Sequence, residues 1–173
     1  MIPHKKEKKT RKIYIRRDQI MADVDAQIEI VSATHTKEDG SVNPVFDNAM
    51  MRYQGLFDRW LNKYLDNTKS RMAAYLLVPY QHGAMNADRD WEEVVLDLSF
   101  PWSWNDTTFP QLVSAIHDYI VNSILTEFFI MTITSKDPVT ADKQSIADEA
   151  YAQIKHCCVT QIAGAARRPL NPF

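Results

Sequence analysis

Apolar residues recur at helical spacing in four stretches of this chain and alternate in one. Ile20, Val24, Ile28 and Val31 lie four, four and three residues apart, one face of a helix, with Asp18 as its candidate N-cap. Ala26, Ile28 and Ile30 also alternate with polar neighbours, so a strand over 26–32 is the alternative, and the helix is preferred. A second helix is expected over about residues 47–66, capped by Asp47. Met50 or Met51, Leu56 with Phe57, Trp60, Leu61, Tyr64 and Leu65 form its wide apolar face. Gly55 inside it marks either the close approach of another helix or a tolerated weak point.

The third helix is the clearest. Pro110 suits a first turn, and Leu112, Ile116, Tyr119, Ile120, Ile124, Phe128 and Met131 follow at helical spacing. Val113, Val121, Leu125 and Phe129 fill much of the remaining circumference, so this helix belongs at a domain centre or a subunit interface. Asp137-Pro138 breaks it. A fourth helix is expected from about Thr140 to Gly164, with Ile146, Ala150, Ile154, Cys157, Cys158 and Ile162 on its apolar stripe and Gly164 as C-cap. Val94, Leu96 and Leu98 alternate within Trp91–Phe100, the best strand. Residues 70–78 suit a short helix or a buried strand, ended by Pro79. Loops are expected over residues 37–44 and 80–90, and a turn over 101–106. The pattern predicts a mainly α protein: a four-helix bundle with a short strand or hairpin near residues 91–100.

With 173 residues, 45% of them hydrophobic, one domain with a sizeable core is expected. Its bounds read as 18–166, between a basic arm over 1–17 and an extended tail over 167–173 held open by Pro169 and Pro172. No apolar run reaches membrane-spanning length, and the N-terminal cations precede no apolar stretch of a secretory signal.

Charge changes the picture more than composition does. Residues 1–17 carry eight cations (Lys5, Lys6, Lys8, Lys9, Arg11, Lys12, Arg16 and Arg17) against Glu7 alone. Arg167 and Arg168 add two near the other end, whereas residues 18–166 hold ten cations against twenty-one acids. Arms opposite in sign to the body suit packing on copies of the chain. Residues 1–12 have almost no apolar members and are expected to order only on a partner. Ile13-Tyr14-Ile15 is a short patch able to dock. A second outlet for these cations is salt-sensitive, sequence-blind DNA contact, although the body continues no basic face.

No catalytic, cofactor or metal site is read. The chain lacks a Gly-x-Ser-x-Gly elbow, a phosphate-cradling glycine loop and a dinucleotide fingerprint. His156, Cys157 and Cys158 are consecutive, so on a helix their side chains diverge rather than converge on an ion. The adjacent cysteines read as reduced, buried hydrophobes. Asp23, Asp25 and Glu29 read as a solvated helix face rather than an acid–base pair. Trp102, Trp104 and Phe109 are either lids on the helical core or contact anchors.

From Val95 onward the chain resembles small proteins of tailed phages and prophages of the Bacteroidales. Three segments carry the resemblance: Leu96-Asp97-Leu98-Ser99-Phe100-Pro101-Trp102-Ser103-Trp104, His117 to Phe129, and Arg167-Arg168-Pro169. The N-terminal half departs from that pattern. The resemblance implies a non-enzymatic structural protein of the virion, made in the host bacterial cytoplasm. It implies a head–tail connector or neck ring, homo-oligomeric, bridging portal and tail subunits through its terminal arms, without membrane or cofactor. The expected partner-binding residues are the eight N-terminal cations, Trp102, Trp104, Arg167, Arg168 and Phe173, the last of which would plug an apolar pocket.

Overall fold

A computed structural model describes residues 7–35, 45–47, 49–78 and 92–161. Among them the protein is mainly helical, with one two-stranded antiparallel sheet. The order is β1 (Lys9–Arg16), α1 (Arg17–Ser32), α2 (Ala49–Arg52), α3 (Gln54–Arg71), β2 (Glu93–Phe100), α4 (Phe109–Thr132) and α5 (Pro138–Val159).

The helix α4 is the axis of the structure. Twelve of its residues are buried, on nearly every side, among them Leu112, Ile116, Ile120, Ile124, Leu125, Phe128 and Phe129. Of the two sequence alternatives, the domain centre is the one observed: α5 packs along it most extensively, and α1 and α3 cover other sides. Buried Thr126 returns its hydroxyl to the carbonyl of Asn122 at 2.8 Å, so no apolar neighbour faces an orphan donor. Met131, expected on the buried face, is instead exposed in the last turn.

Of the two long C-terminal helices, α5 has a side-chain cap of its own and α4 is entered from a capped 3-10 turn. Asn105 Oδ1 accepts from the Thr107 amide (3.2 Å) in the 3-10 turn that leads into α4, and Pro110 sits in the first turn. Asp137 Oδ1 accepts from the Val139 amide at 2.9 Å. Asp137-Pro138 therefore starts α5 rather than stopping α4, which has already ended at Thr132. Ala150, Ile154, Cys157 and Cys158 face the core as expected, while Ile146 sits at the rim. Ile162 and the expected Gly164 cap lie outside the described residues.

All four apolar positions expected of α1 are buried, so the helix reading holds over the strand. It begins at Arg17, so Asp18 lies in the first turn instead of capping it. The second expected helix is divided at Tyr53 into α2 and α3. Phe57, Leu61 and Leu65 are buried; Leu56, Trp60 and Tyr64 are half-buried; Met50 is buried and Met51 exposed. A Cβ on Gly55 would meet nothing within 4 Å, so no helix among the described residues approaches it. The stretch after α3 holds a 3-10 turn, Ala73–Tyr75, and a backbone bridge from Leu76 to Leu98.

The sheet is where expectation and structure part. β2 falls where the alternation places it, with Leu96, Leu98 and Phe100 inward. Its partner is not a hairpin neighbour but β1, which joins the docking patch 13–15 to residues 9–12 of the stretch expected to order only on a partner, in the register Lys9↔Phe100 to Arg16↔Glu93. The folded body therefore begins by Lys9 instead of residue 18. Ile13 and Ile15 explain this: both are buried against the core, and their burial supplies the free energy that orders the cations around them.

Two substitutions test this packing. Ile124→Ala, at a fully buried site on α4, should lower the unfolding free energy by about 2–5 kcal/mol in urea titration. Gly55→Ala should raise it by roughly 0.5–1 kcal/mol, because the site is helical and open.

Candidate functional site

Five of the eight N-terminal cations are matched to carboxylates of the chain's own body. Lys9 Nζ donates to the Trp104 carbonyl and to Asp106 Oδ2, each at 2.8 Å, and Arg11 Nη2 reaches Asp106 Oδ1 at 2.9 Å. Lys12 faces Asp97 across the sheet at 3.4 Å, and Arg16 reaches Asp18 at 2.7 Å. Arg17 grips Asp58 through two bonds, 2.8 and 3.1 Å, and lies over the Phe57 ring. The charge difference read as a means of packing on copies thus acts within one subunit for these residues. Lys8 is exposed; Lys5, Lys6, Arg167, Arg168 and Phe173 lie outside the described residues.

The two indoles separate. Trp104 is 1% exposed and stacks on Phe100 at 3.8 Å between ring centroids. Its Nε1 donates to the Cys157 carbonyl at 2.8 Å, one of the acceptors that the last turn of α5 leaves unpaired within the helix. Trp104 is therefore core, not a contact anchor. A turn brings it there: the Trp104 amide donates to the Pro101 carbonyl at 2.9 Å, reversing the chain beneath β2. Trp102, 44% exposed, stays at the surface.

A groove of about 320 Å³ runs between β1 and the first half of α4. Ile13, Ile15 and Ile20 form one wall, and Val113, Ile116 and Ile120 the other. At one end His117 Nε2 lies 2.8 Å from Asp23 Oδ2, and its Nδ1 lies 3.6 Å from Asp118 Oδ1. Ser114 gives its hydroxyl to Asp118 rather than to His117, so no nucleophile–base bond forms. The groove is an apolar cleft with a polar end, and sequence spacing alone carried no signal for it, because its two walls are about a hundred residues apart.

Several other titratable groups among the described residues are tied into the fold. Asp25, placed on a solvated face by its spacing, accepts from the Met50 amide at 3.1 Å and so caps α2; burial raises its pKa. Burial opposes ionisation of Glu127, but hydrogen bonds from Lys63 (2.6 Å) and Tyr64 (2.7 Å) outweigh it and hold the carboxyl below its usual range. The Lys9 hydrogen bond, aided by Arg11, lowers Asp106. Burial pushes the Cys158 thiol up to about 12 and raises Cys157, which disfavours the thiolate needed for nucleophilic or metal-binding work. His156 faces solvent, away from both thiols.

No helix of the described residues is long and apolar enough to cross a membrane. No protein-family model, curated protein or solved structure matches the chain.

Both lowered carboxyls bind fewer protons folded than unfolded, so the stability they lend is present above about pH 4.3 and lost as pH falls through their lowered values. Asp106→Asn and Glu127→Gln should each flatten the acid limb of the stability–pH curve. Asp106 is exposed enough for its effect near neutral pH to stay below about 1 kcal/mol.

Proposed function

We propose that this chain is a non-enzymatic structural subunit of a phage particle, of the kind that forms a head–tail connector or neck ring between portal and tail. Its helices α1, α3, α4 and α5 serve as a four-helix bundle body, and extended segments join one copy to the next. It resides in the virion after synthesis in the bacterial cytoplasm. The observation that carries this reading is the groove beside β1, an apolar cleft between a strand and a helix that could take a partner's extended chain. The resemblance from Val95 onward supports the same role.

The division between the arms is revised by the fold. Residues 9–17 hold the subunit together, so the joining role falls to residues 1–8 and 167–173. A nucleic-acid role for the basic arm draws less support, because five of its cations already face carboxylates. The ring contact is heterologous, with donor and acceptor surfaces on different faces of each copy.

Removal of residues 167–173 should leave the thermal melt of the subunit unchanged and abolish the oligomer measured by light scattering after size exclusion. An oligomer that persists in this truncation and in one lacking residues 1–8 would sink the arm-joined ring.

A further inference from the structure

We infer that the groove beside β1 receives residues 162–173 of a second copy, which add to β1 as a third strand. The inference rests on the ring-subunit reading and names its acceptor site.

Backbone geometry leaves the edge of β1 open. The Arg17 amide donates to the Glu92 carbonyl at 2.9 Å. Bonding alternates along an antiparallel ladder, so Ile15, Ile13, Arg11 and Lys9 exchange bonds with β2. The backbone groups of Thr10, Lys12, Tyr14 and Arg16 then point away from it. The same parity holds on the far side of β2, where the Asp97 carbonyl accepts from the Leu77 amide at 2.9 Å. β2 is thus flanked on both sides, whereas β1, among the described residues, pairs on one side only. The Arg11 guanidinium takes the Thr10 carbonyl at 2.9 Å, which leaves Lys12 to Arg16 as the open run. The groove lies along this run, with α4 as its opposite wall. A strand edge facing a helix across an apolar cleft is the geometry of peptide capture by strand addition.

Charge selects among occupants. A second β1 would set Lys12 and Arg16 against their own copies, a like-charge pairing that destabilises a sheet. Residues 162–173 suit better. Ala163, Gly164, Ala165 and Ala166 are small enough to lie between a strand and a helix. Pro169 and Pro172 lack amide donors and stand three apart, so one strand parity cannot hide both. With Ile162, Gly164, Ala166, Arg168 and Leu170 bonding to β1, Pro169 faces outward and Pro172 ends the pairing. Just outside the groove's lining, Asp23 and Asp118 flank His117 and carry charge opposite to Arg167 and Arg168. Twelve extended residues reach up to about 40 Å, against about 17 Å for the five-residue open run. The segment departs from Gln161, whose backbone bridges Trp104 near the start of α4, and is long enough to leave its own body.

Cross-linking of full-length chains tests this. One tagged copy carries Ser114→Cys in the groove wall, and a differently tagged copy carries Leu170→Cys. Mild oxidation should join the two tags in a disulfide-linked dimer. Tyr14→Pro removes an edge amide without touching a β1–β2 bond, and Val113→Arg fills the cleft; each should lower the dimer yield several-fold with the melt preserved. A ring that persists by native mass without this cross-link would overturn the groove assignment and leave the ring reading standing. A monomer at all concentrations would overturn both. A disulfide within one chain carrying both cysteines, with no mixed dimer, would place the segment on its own body and overturn the second-copy assignment.

Discussion

Burial of α4 is the constraint on which the other elements depend. A helix with Leu112, Ile116, Ile120, Ile124, Leu125, Phe128 and Phe129 distributed around it has no face fit for water, so it is stable only when surrounded. α5 supplies Ile154 and Cys157 along one side, α1 and α3 supply Ile28, Phe57 and Leu61 on others, and the sheet closes the end near Pro110. The sheet in turn needs β1, because β2 with its inward Leu96, Leu98 and Phe100 would present a bare edge without it. The Lys9, Arg11 and Asp106 cluster fastens that strand beside the turn that leads into α4.

How much of this was legible in the sequence follows from which interactions are local. The stripe Ile20, Val24, Ile28, Val31 and the all-round apolar pattern of α4 state their burial directly, since helical period and hydrophobicity act within one element. The Asp137 cap is equally local, but its sense was reversed: an Asp-Pro pair both ends one helix and begins another, and only the irregular backbone at Ile133 shows that α4 had stopped earlier. β1 was obscured because its inward positions Lys9 and Arg11 are charged, and charge reads as solvation unless a distant acid is known. Asp106, the acid in question, is about a hundred residues away. Trp104 is ambiguous in the sequence for a related reason, since its partners, the Phe100 ring and the Cys157 carbonyl, are assembled by a turn and by the end of a helix far along the chain.

The functional consequence is a redistribution of roles between the two basic ends. The N-terminal cations from Lys9 to Arg17 resolve into strand and helix contacts within the subunit, and the strand they brace turns one unpaired edge toward an apolar cleft. On the proposed reading, the partner-facing role moves from the charge of the arm to the backbone of β1, with α4 serving both as core and as the opposite wall of the cleft. Ile116 and Ile120 line the cleft but are almost fully buried, so they belong to the core.

The central claim is that this chain works as a closed assembly of copies. Native mass spectrometry of the intact protein tests it most directly. The account predicts one dominant species at a fixed multiple of 20.0 kDa, unchanged in stoichiometry as concentration rises. A lone 20.0 kDa species throughout the micromolar range, or a ladder of sizes growing with concentration, would contradict it.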